Sequence, residues 1–209
     1  MEVIIQPDAE VAARLTARVI ANALQANPHL VLGLATGRTM EKVYELLVTL
    51  HREEEVDFSL CRTFNLDEYI GLAPGDEHSY RAYMNRYLFQ HVNIDLRNTH
   101  IPDGTAADLD AECAAYEALI RDCGGIDLQL VGLGSDGHIG FNEPLSALHS
   151  RTRQKALTPS TLMQNAEMFG GDIKQVPRRA ITMGVGTILE ADRILLLATG
   201  KDKAGVLIK

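Results

Sequence analysis

The sequence contains few cysteines, no long apolar run and no excess of basic residues, and each of these features argues against a class of protein. No stretch approaches the roughly 18 apolar residues of a membrane-spanning helix, and residues 1–5 lack the basic region and apolar core of a signal peptide. The 3 cysteines are odd in number and show no close metal-type pairing, so we expect reduced thiols in a cytoplasmic protein. Basic residues number 20 against 28 acidic ones, and the net charge of −8 argues against a nucleic-acid-binding surface.

The remaining composition is that of an ordinary globular domain. The 209 residues, of which 46% are hydrophobic, suffice for one domain with a sizeable core, and we treat residues 1–209 as a single domain. Short apolar runs alternate with helical periodicities, beginning with a strand predicted at 3–5 and a helix over 9–26 that Asp8 caps. This alternation predicts an α/β fold, with a three-layer, Rossmann-like, mostly parallel sheet and helices on both faces.

The most informative stretch is the apolar run 126–133 and the glycine-rich loop that follows it. The run predicts a buried parallel strand, and the loop then presents Asp136, His138 and Glu143 within eight residues. Open α/β sheets bind ligands beyond the carboxyl ends of their strands, so we expect the three side chains to share one cleft. A carboxylate can fix the orientation and tautomer of a histidine, which suits the ring to proton transfer. Singly, each is more often a turn or surface residue, and only their combination favours catalysis.

Three further polar segments follow predicted strands and should open toward the same edge of the sheet. The segment 33–39 passes from a strand into a helix and offers backbone N–H groups that suit an anion, although it is neither a Walker loop nor a GxGxxG loop. The segment 66–69 contains the acidic residues Asp67 and Glu68, and the segment 199–203 contains Lys203. An anion-binding loop, a carboxylate, a carboxylate-flanked histidine and a lysine therefore converge, which indicates an enzyme.

Several of these stretches resemble the glucosamine-6-phosphate deaminase (glucosamine-6-phosphate isomerase) family. The matching stretches are Phe64–Leu72, Gly134–Pro144, Ser150–Arg153, Gln175–Pro177 and Met183–Thr187. The second is the most specific, because the related 6-phosphogluconolactonases share its Asp-Gly-His turn but not the Phe-Asn-Glu-Pro that follows. The resemblance implies aldose–ketose isomerisation and deamination of glucosamine 6-phosphate to fructose 6-phosphate and ammonia. It implies no metal and no organic cofactor.

The resemblance also implies catalytic roles for four residues of these stretches. Asp67 would be the general base that takes the proton from C2 of the sugar and returns it at C1. His138 would assist opening of the pyranose ring, and Asp136 and Glu143 would orient and tune it. Proton transfer next to a carbonyl needs positioned acids and bases and no redox centre, so the implied roles agree with the residues themselves.

The phosphate site that the resemblance implies departs from the family pattern at two positions. Its residues in this chain are Thr36, Gly37, Arg38, Thr39 and Lys203. Many members have a glycine in place of Arg38, and many have a phosphate-contacting arginine in place of Glu167. A carboxylate at close range would repel a phosphate dianion, so we hypothesise that Arg38 supplies the guanidinium instead.

Two features of the resemblance concern assembly and chain length. Ser146, Arg153 and Lys155 match parts of an effector site that some hexameric members carry at a subunit interface, so an allosteric site and a homo-oligomer are further expectations. Family members usually continue beyond the position of Lys209. We therefore expect a domain without the family's C-terminal end, whose open edge a neighbouring subunit would cover if the chain is not simply shortened.

Three other readings of the sequence stay open. One is a galactosamine-6-phosphate deaminase, and another is an enzyme like the 6-phosphogluconolactonases. Asp67 argues against the second, because lactone hydrolysis needs a water-activating histidine more than a base at carbon. The third is a non-catalytic regulator that binds a sugar phosphate, which Glu167 and the early end favour and the set of acid–base residues opposes.

Overall fold

The computed structural model describes residues 1–208, in which helices and strands alternate. In chain order they are α1 (Ala9–Ala26), β1 (Val31–Leu34), α2 (Arg38–Glu54), β2 (Arg62–Asn65), β3 (Asp67–Tyr69), α3 (Tyr80–Met84), a π-helical turn (Asn85–Phe89), a 3-10 turn (Leu96–Asn98), β4 (Thr99–His100), α4 (Leu109–Asp122), β5 (Leu128–Gly132), β6 (Arg153–Ala156), α5 (Pro159–Asn165), a 3-10 turn (Ala166–Phe169), β7 (Arg179–Thr182), α6 (Val185–Leu189), β8 (Arg193–Leu197), a 3-10 turn (Lys201–Lys203) and α7 (Ala204–Leu207). Asp8 caps α1 as predicted, because its carboxylate accepts the N–H of Val11 at 2.8 Å.

The main sheet has five parallel strands in the order β4-β2-β1-β5-β8. From β1 the chain builds outward to β2 and β4, and then crosses back to β5 and β8. Right-handed crossovers that run in opposite directions lie on opposite faces of a sheet, so α2 and α3 cover one face and α4 the other. The predicted α/β class, with a mostly parallel sheet between two layers of helices, is confirmed.

This strand order creates a topological switch point between β1 and β5. The two strands are neighbours, but the chain leaves them in opposite directions. The loops beyond their carboxyl ends therefore separate and leave a crevice, which is where open α/β sheets bind ligands. Both strands are almost entirely buried and apolar, as the sequence predicts for central parallel strands.

A second sheet, which the sequence did not indicate, has three antiparallel strands in the order β3-β7-β6. The chain passes from β2 in the main sheet to β3 in the second sheet through one residue, Leu66. The Leu66 N–H donates to the Leu34 carbonyl of β1 at 3.0 Å, and the Leu66 carbonyl accepts the N–H of Met183 at 2.7 Å. Leu66 is therefore hydrogen-bonded on both sides of this step, and these bonds fix the point at which Asp67 begins β3.

One predicted strand is wrong. Residues 3–5 are apolar, but residues 1–6 belong to no helix or strand, and Val3, Ile4 and Ile5 are exposed. A strand needs a neighbour for its backbone N–H and C=O groups, and three apolar residues do not show from sequence whether that neighbour exists. Within residues 1–208, no helix is long and apolar enough to cross a membrane.

Candidate active site

A cleft of about 790 Å³ lies at the switch point of the main sheet. It is lined by residues of all four polar segments that the sequence places beyond strands, namely 35–41, 66–67, 132–141 and 199–203. The end of α5 and the 3-10 turn that follows it add a further wall, with Gln164, Asn165, Glu167 and Met168. The predicted convergence of these segments on one cleft is thus seen in the structure.

Asp67, the first residue of β3, lies in the floor of this cleft and is only 5% exposed. Its Oδ2 lies against Gly140, where a built Cβ would be 3.1 Å from that oxygen and 3.1 Å from Thr182 Oγ1. The φ of Gly140 is 58°, a left-handed conformation that glycine adopts without strain, so both the backbone and the close contact favour glycine there. Burial, together with the negative charge of Glu68, raises the pKa of Asp67 to about 8. A carboxylate with a pKa near neutrality can both accept and return a proton.

Of the three side chains expected to share the cleft, only His138 lines it, and Asp136 and Glu143 lie outside the lining. His138 forms a hydrogen-bonded pair with Asp136. The Nδ1 of His138 lies 2.6 Å from Asp136 Oδ1, which also accepts the backbone N–H of His138 at 3.2 Å. Burial works to raise the pKa of Asp136, but these hydrogen bonds and the nearby imidazole hold it below its ordinary value. An ionised Asp136 only accepts hydrogen bonds, so it places the proton on Nδ1 and leaves Nε2 for a ligand.

The backbone of Gly134 lies under the His138 ring. A Cβ at Gly134 would come within 2.4 Å of the ring, so any side chain there would displace the imidazole. The Gly134 N–H also donates to the His138 carbonyl at 2.8 Å, which closes the loop on itself. The glycine-rich sequence therefore fixes the position of the ring as well as the turn of the chain.

Glu143 connects the His138 loop to α5. Its Oε1 accepts the hydroxyl groups of Thr158, the residue that caps α5, at 3.1 Å and of Thr161 at 2.6 Å. Its Oε2 is buried and has no partner among residues 1–208. Asp136, His138 and Glu143 each offer one atom within 4.8 Å of the others, which is a donor set that a divalent cation could use.

The loop between β1 and α2 forms the end of the cleft that suits an anion. Gly37 precedes α2 with a φ of 114°, and no side chain caps the helix. The first N–H groups of a helix and its dipole favour negative charge. Thr36 and Thr39 also line the cleft, and the Lys203 side chain reaches it with only 15% of its surface exposed.

Arg38 pairs with Glu167 across the mouth of the cleft. Its Nη2 lies 2.7 Å from Glu167 Oε2, and both side chains are largely exposed. Both residues line the cleft, so a phosphate bound there would compete with Glu167 for the guanidinium. The contact between Arg38 and a phosphate stays a prediction.

The residues predicted for an effector site lie outside the cleft lining. Arg153 in β6 donates to the Ser146 hydroxyl at 3.4 Å and to the Arg151 carbonyl at 3.3 Å. Lys155 is two residues further along β6, on the same face of the strand. The structure brings Ser146 and Arg153 together, and their role stays a prediction.

Sequence reasoning gave no role to Glu68, and in the wall after α5 it singled out only Glu167. The resemblance places Tyr80 near the family's active site, but the sequence alone gave it no role. Tyr80 lines the cleft, with its ring 6.1 Å from that of Phe141 and nearly parallel to it, at 9°. Glu68 stands beside Asp67 in the sequence and reads as one more acidic loop residue. Only the antiparallel register of β3 with β7 shows that Glu68 turns away from the cleft.

Comparisons with known proteins agree with this geometry. The profile of the family glucosamine-6-phosphate isomerases/6-phosphogluconolactonase matches residues 8–209. A glucosamine-6-phosphate deaminase of Streptomyces coelicolor is 50% identical over 204 residues, covering 98% of this chain and 78% of that protein.

Solved structures give the same result for the fold. A monomeric glucosamine-6-phosphate deaminase has a TM-score of 0.97 at 44% identity, covering 100% of this chain and 86% of that chain. A 6-phosphogluconolactonase of Trypanosoma cruzi, at 22% identity and a TM-score of 0.74, shares the fold, covering 99% of this chain and 83% of that one. The chain therefore belongs to the glucosamine-6-phosphate isomerases/6-phosphogluconolactonase family.

Proposed function

We propose that this protein is an enzyme that isomerises and deaminates glucosamine 6-phosphate, with water as the second substrate and fructose 6-phosphate and ammonia as products. The reaction hydrolyses a carbon–nitrogen bond, so the enzyme would count as a deaminating hydrolase. The observation that carries the proposal is Asp67, a buried carboxylate with a raised pKa that shares one cleft with His138, whose ring is hydrogen-bonded to Asp136. Relatives at 44–50% identity that are named glucosamine-6-phosphate deaminases support the choice of substrate.

The roles follow from the environments of the side chains. Asp67 takes the proton from C2 of the open-chain sugar and returns it at C1. This isomerisation reduces the C1 aldehyde to an alcohol and oxidises the C2 amine to an imine. Water then adds to C2, and ammonia leaves. His138 moves the proton that ring opening requires through its free Nε2, while Asp136 holds the ring and Glu143 fixes the loop against α5.

The phosphate of the substrate would bind at the start of α2 and beside Lys203. Backbone N–H groups from Thr36 to Thr39 and the helix dipole favour the dianion, and the Lys203 ammonium adds a positive charge. Arg38 would turn from Glu167 to the phosphate. We propose no metal or organic cofactor, since every proton transfer has a side chain to perform it.

Regulation and location are further parts of the proposal. Ser146, Arg153 and Lys155 would bind a second anionic ligand, and homo-oligomerisation is the arrangement in which such a site would act. The similar deaminase of known structure is described as monomeric, so the proposed deaminase activity does not depend on the proposed homo-oligomer. Cys61, Cys113 and Cys123 are unpaired, which fits a reducing compartment such as the cytoplasm.

The test is ammonia release from glucosamine 6-phosphate, run beside galactosamine 6-phosphate and 6-phosphogluconolactone. We expect ammonia and fructose 6-phosphate from the first substrate and slow or no turnover of the other two. Turnover of the galacto substrate alone would identify the galactosamine-6-phosphate deaminase. Lactone hydrolysis without ammonia release would overturn the proposal, as would binding of all three without any turnover.

A further inference from the structure

Glu68 is a buried carboxylate that the proposed reaction does not use. It is the middle residue of β3, next to Asp67, and only 3% of its surface is exposed. Successive side chains of a strand point to opposite faces, so Asp67 faces the cleft and Glu68 faces the start of α3. A carboxylate so fully buried needs a structural or chemical reason, because burial of a charge is costly unless it is paired and hydrogen-bonded.

The Glu68 carboxylate binds three backbone N–H groups. Its Oε1 accepts from Tyr69 at 2.8 Å and from Tyr80 at 3.0 Å, and its Oε2 accepts from Arg81 at 3.0 Å. Tyr80 and Arg81 are the first two residues of α3, and Ser79 Oγ accepts the third N–H, that of Ala82, at 3.0 Å. Glu68 therefore satisfies two of the N–H groups that a helix start leaves without partners, and it ties α3 to β3.

The residues held by Glu68 shape the cleft around Asp67. Tyr80 lines the cleft and stacks on Phe141, which directly follows the glycine that lies against the Asp67 carboxylate. A shift at the start of α3 would thus move Tyr80, Phe141 and the backbone beside Asp67 together. Glu68 is the contact through which β3 sets the position of that wall.

The charge of Glu68 lacks a direct ionic partner. Arg81 is the adjacent cation, but its guanidinium donates to the Thr99 hydroxyl at 2.7 Å and to the Thr99 carbonyl at 2.8 Å. Among residues 1–208, no side-chain nitrogen of a lysine, arginine or histidine lies within 4.0 Å of the Glu68 carboxylate. The negative charge is stabilised by backbone N–H groups and acts on its neighbour Asp67.

We propose that Glu68 is a positioning residue for Asp67: it anchors β3 and the start of α3 to each other, and it places a second negative charge beside the proposed base. The anchoring role stands on the hydrogen bonds alone, and the catalytic consequence rests on the function proposed above. The charge disfavours the ionised form of Asp67, so the pair titrates as a unit rather than as two separate acids. Burial raises the pKa of Glu68 itself to about 7, against the lowering effect of its N–H bonds.

The other titratable groups around the pair do not supply the same effect. Burial raises the pKa values of the surrounding tyrosines, so they stay neutral in the range where Asp67 titrates, and Arg81 stays cationic. The cleft lining adds the imidazole of His138 and the side-chain amine of Lys203. The tyrosines are Tyr69 on β3, Tyr80 on α3 and Tyr116 on α4. Removal of the Glu68 charge alone therefore isolates its influence.

The experiment is a carbon-13 NMR titration of the carboxyl groups in the full chain, with the Asp67 and Glu68 signals assigned from Asp67→Asn and Glu68→Gln. In the unaltered protein we expect the Asp67 signal to titrate in two steps, one of them where the Glu68 signal titrates. In Glu68→Gln we expect a single step, at a pH lower by on the order of one unit. The acid limb of the kcat/KM profile for glucosamine 6-phosphate should move in the same direction.

Glu117→Gln is the matched control. Glu117 is a second buried glutamate away from the cleft: its Oε1 accepts the Thr152 N–H at 2.7 Å and the Thr187 hydroxyl at 2.5 Å, and its Oε2 forms an ion pair with Arg151 at 2.6 Å. This variant should lose thermal stability as Glu68→Gln does but leave the Asp67 titration unchanged. An unmoved Asp67 midpoint in Glu68→Gln, or an equal shift in both variants, would overturn the proposal.

Two features keep the test decisive. If Glu68→Gln does not fold, the two-step curve of the unaltered protein still decides, because a single-step Asp67 curve contradicts coupling to Glu68. If the unaltered protein releases no ammonia, the proposed function fails while the NMR titration still reports on Glu68. The two failures are therefore distinguishable.

Discussion

Asp67 and Asp136 are two carboxylates in opposite circumstances. Asp67 lines the cleft and is buried, and its pKa is raised to about 8 by burial and by a like charge, whereas Asp136 lies outside the cleft lining and holds the ring of His138, which lines it. Asp136 is more exposed and is hydrogen-bonded to His138 through both the ring and the backbone, which lowers its pKa. Two carboxylates whose environments push their pKa values apart can take different roles. In the proposed reaction Asp67 would carry the proton, while Asp136 would stay ionised and hold the histidine.

The contrast should first appear in the stability of the protein. The pKa of Asp67 is raised on folding. Its contribution to the free energy of unfolding is therefore fully present below about pH 4 and is lost as the pH rises through about 8. The Asp67→Asn variant should therefore unfold with a shallower pH dependence, and the difference between the proteins should amount to several kcal/mol, on the order expected for such a shift.

Urea unfolding at several pH values between 4 and 9 measures this difference. The matched control is Asp136→Asn, whose curve should run nearly parallel to that of the parent over this range, because the pKa of Asp136 is lowered on folding and its contribution is lost only at more acidic pH. Part of the slope should persist in Asp67→Asn, since the pKa of Glu68 is also raised. Parallel curves for Asp67→Asn and the parent would contradict a buried, neutral Asp67.

The second prediction disturbs only the histidine side of the comparison. A methyl group in Gly134→Ala would collide with the His138 ring, and a displacement of about 1 Å costs on the order of 10²-fold in rate. Gly132→Ala is the control, because its methyl group would meet only the flexible end of Met40, at 3.1 Å. Ammonia release by purified variants tests this, and equal rates for the two would show that the position of the ring is unimportant.

The third prediction concerns the mouth of the cleft. Arg38→Ala should raise the KM for glucosamine 6-phosphate about tenfold, as expected for the loss of one charged hydrogen bond. Glu167→Gln should lower KM, because Arg38 is freed from its partner. Both variants should keep kcat within a small factor of the parent. A KM that hardly moves in Arg38→Ala would mean that the guanidinium stays with Glu167 or in solvent.

The smallest expected effect is that of metal removal. Asp136, His138 and Glu143 could hold a divalent cation, but the proposed proton transfers use the side chains alone. Treatment with a chelator followed by dialysis should leave ammonia release unchanged. A loss of activity that added zinc restores would assign a metal to this cluster instead.

The sequence predicted the main sheet and much of the cleft, and it did so for physical reasons. Central parallel strands must be apolar on both faces, so 126–133 was recognisable, and polar residues beyond such strands must share an edge. The loop carrying Asp136 and His138 could therefore be placed without a structure. The residues around Asp67 could not, because two adjacent acidic residues give no sign that the chain changes sheets at Leu66.

Predictions from neighbouring residues also failed where the contacting residue is distant in the sequence. The strand expected at 3–5 does not form, since nothing in three apolar residues shows whether a neighbouring strand exists. Glu68 reads as a solvated residue and is buried against the start of α3. Arg38 and Glu167 stand 129 positions apart in the sequence, so their ion pair was not visible, although both were singled out for their charge.

The most direct test of the account compares ammonia release by Asp67→Asn and Asp136→Asn on glucosamine 6-phosphate. We predict that Asp67→Asn is almost inactive, since loss of a general base costs about 10²–10⁴-fold, and that Asp136→Asn keeps a smaller, measurable rate. Both should still bind the phosphosugar. Ammonia release by Asp67→Asn at the parent rate, or a greater loss in Asp136→Asn, would contradict the assignment of Asp67 as the proton carrier.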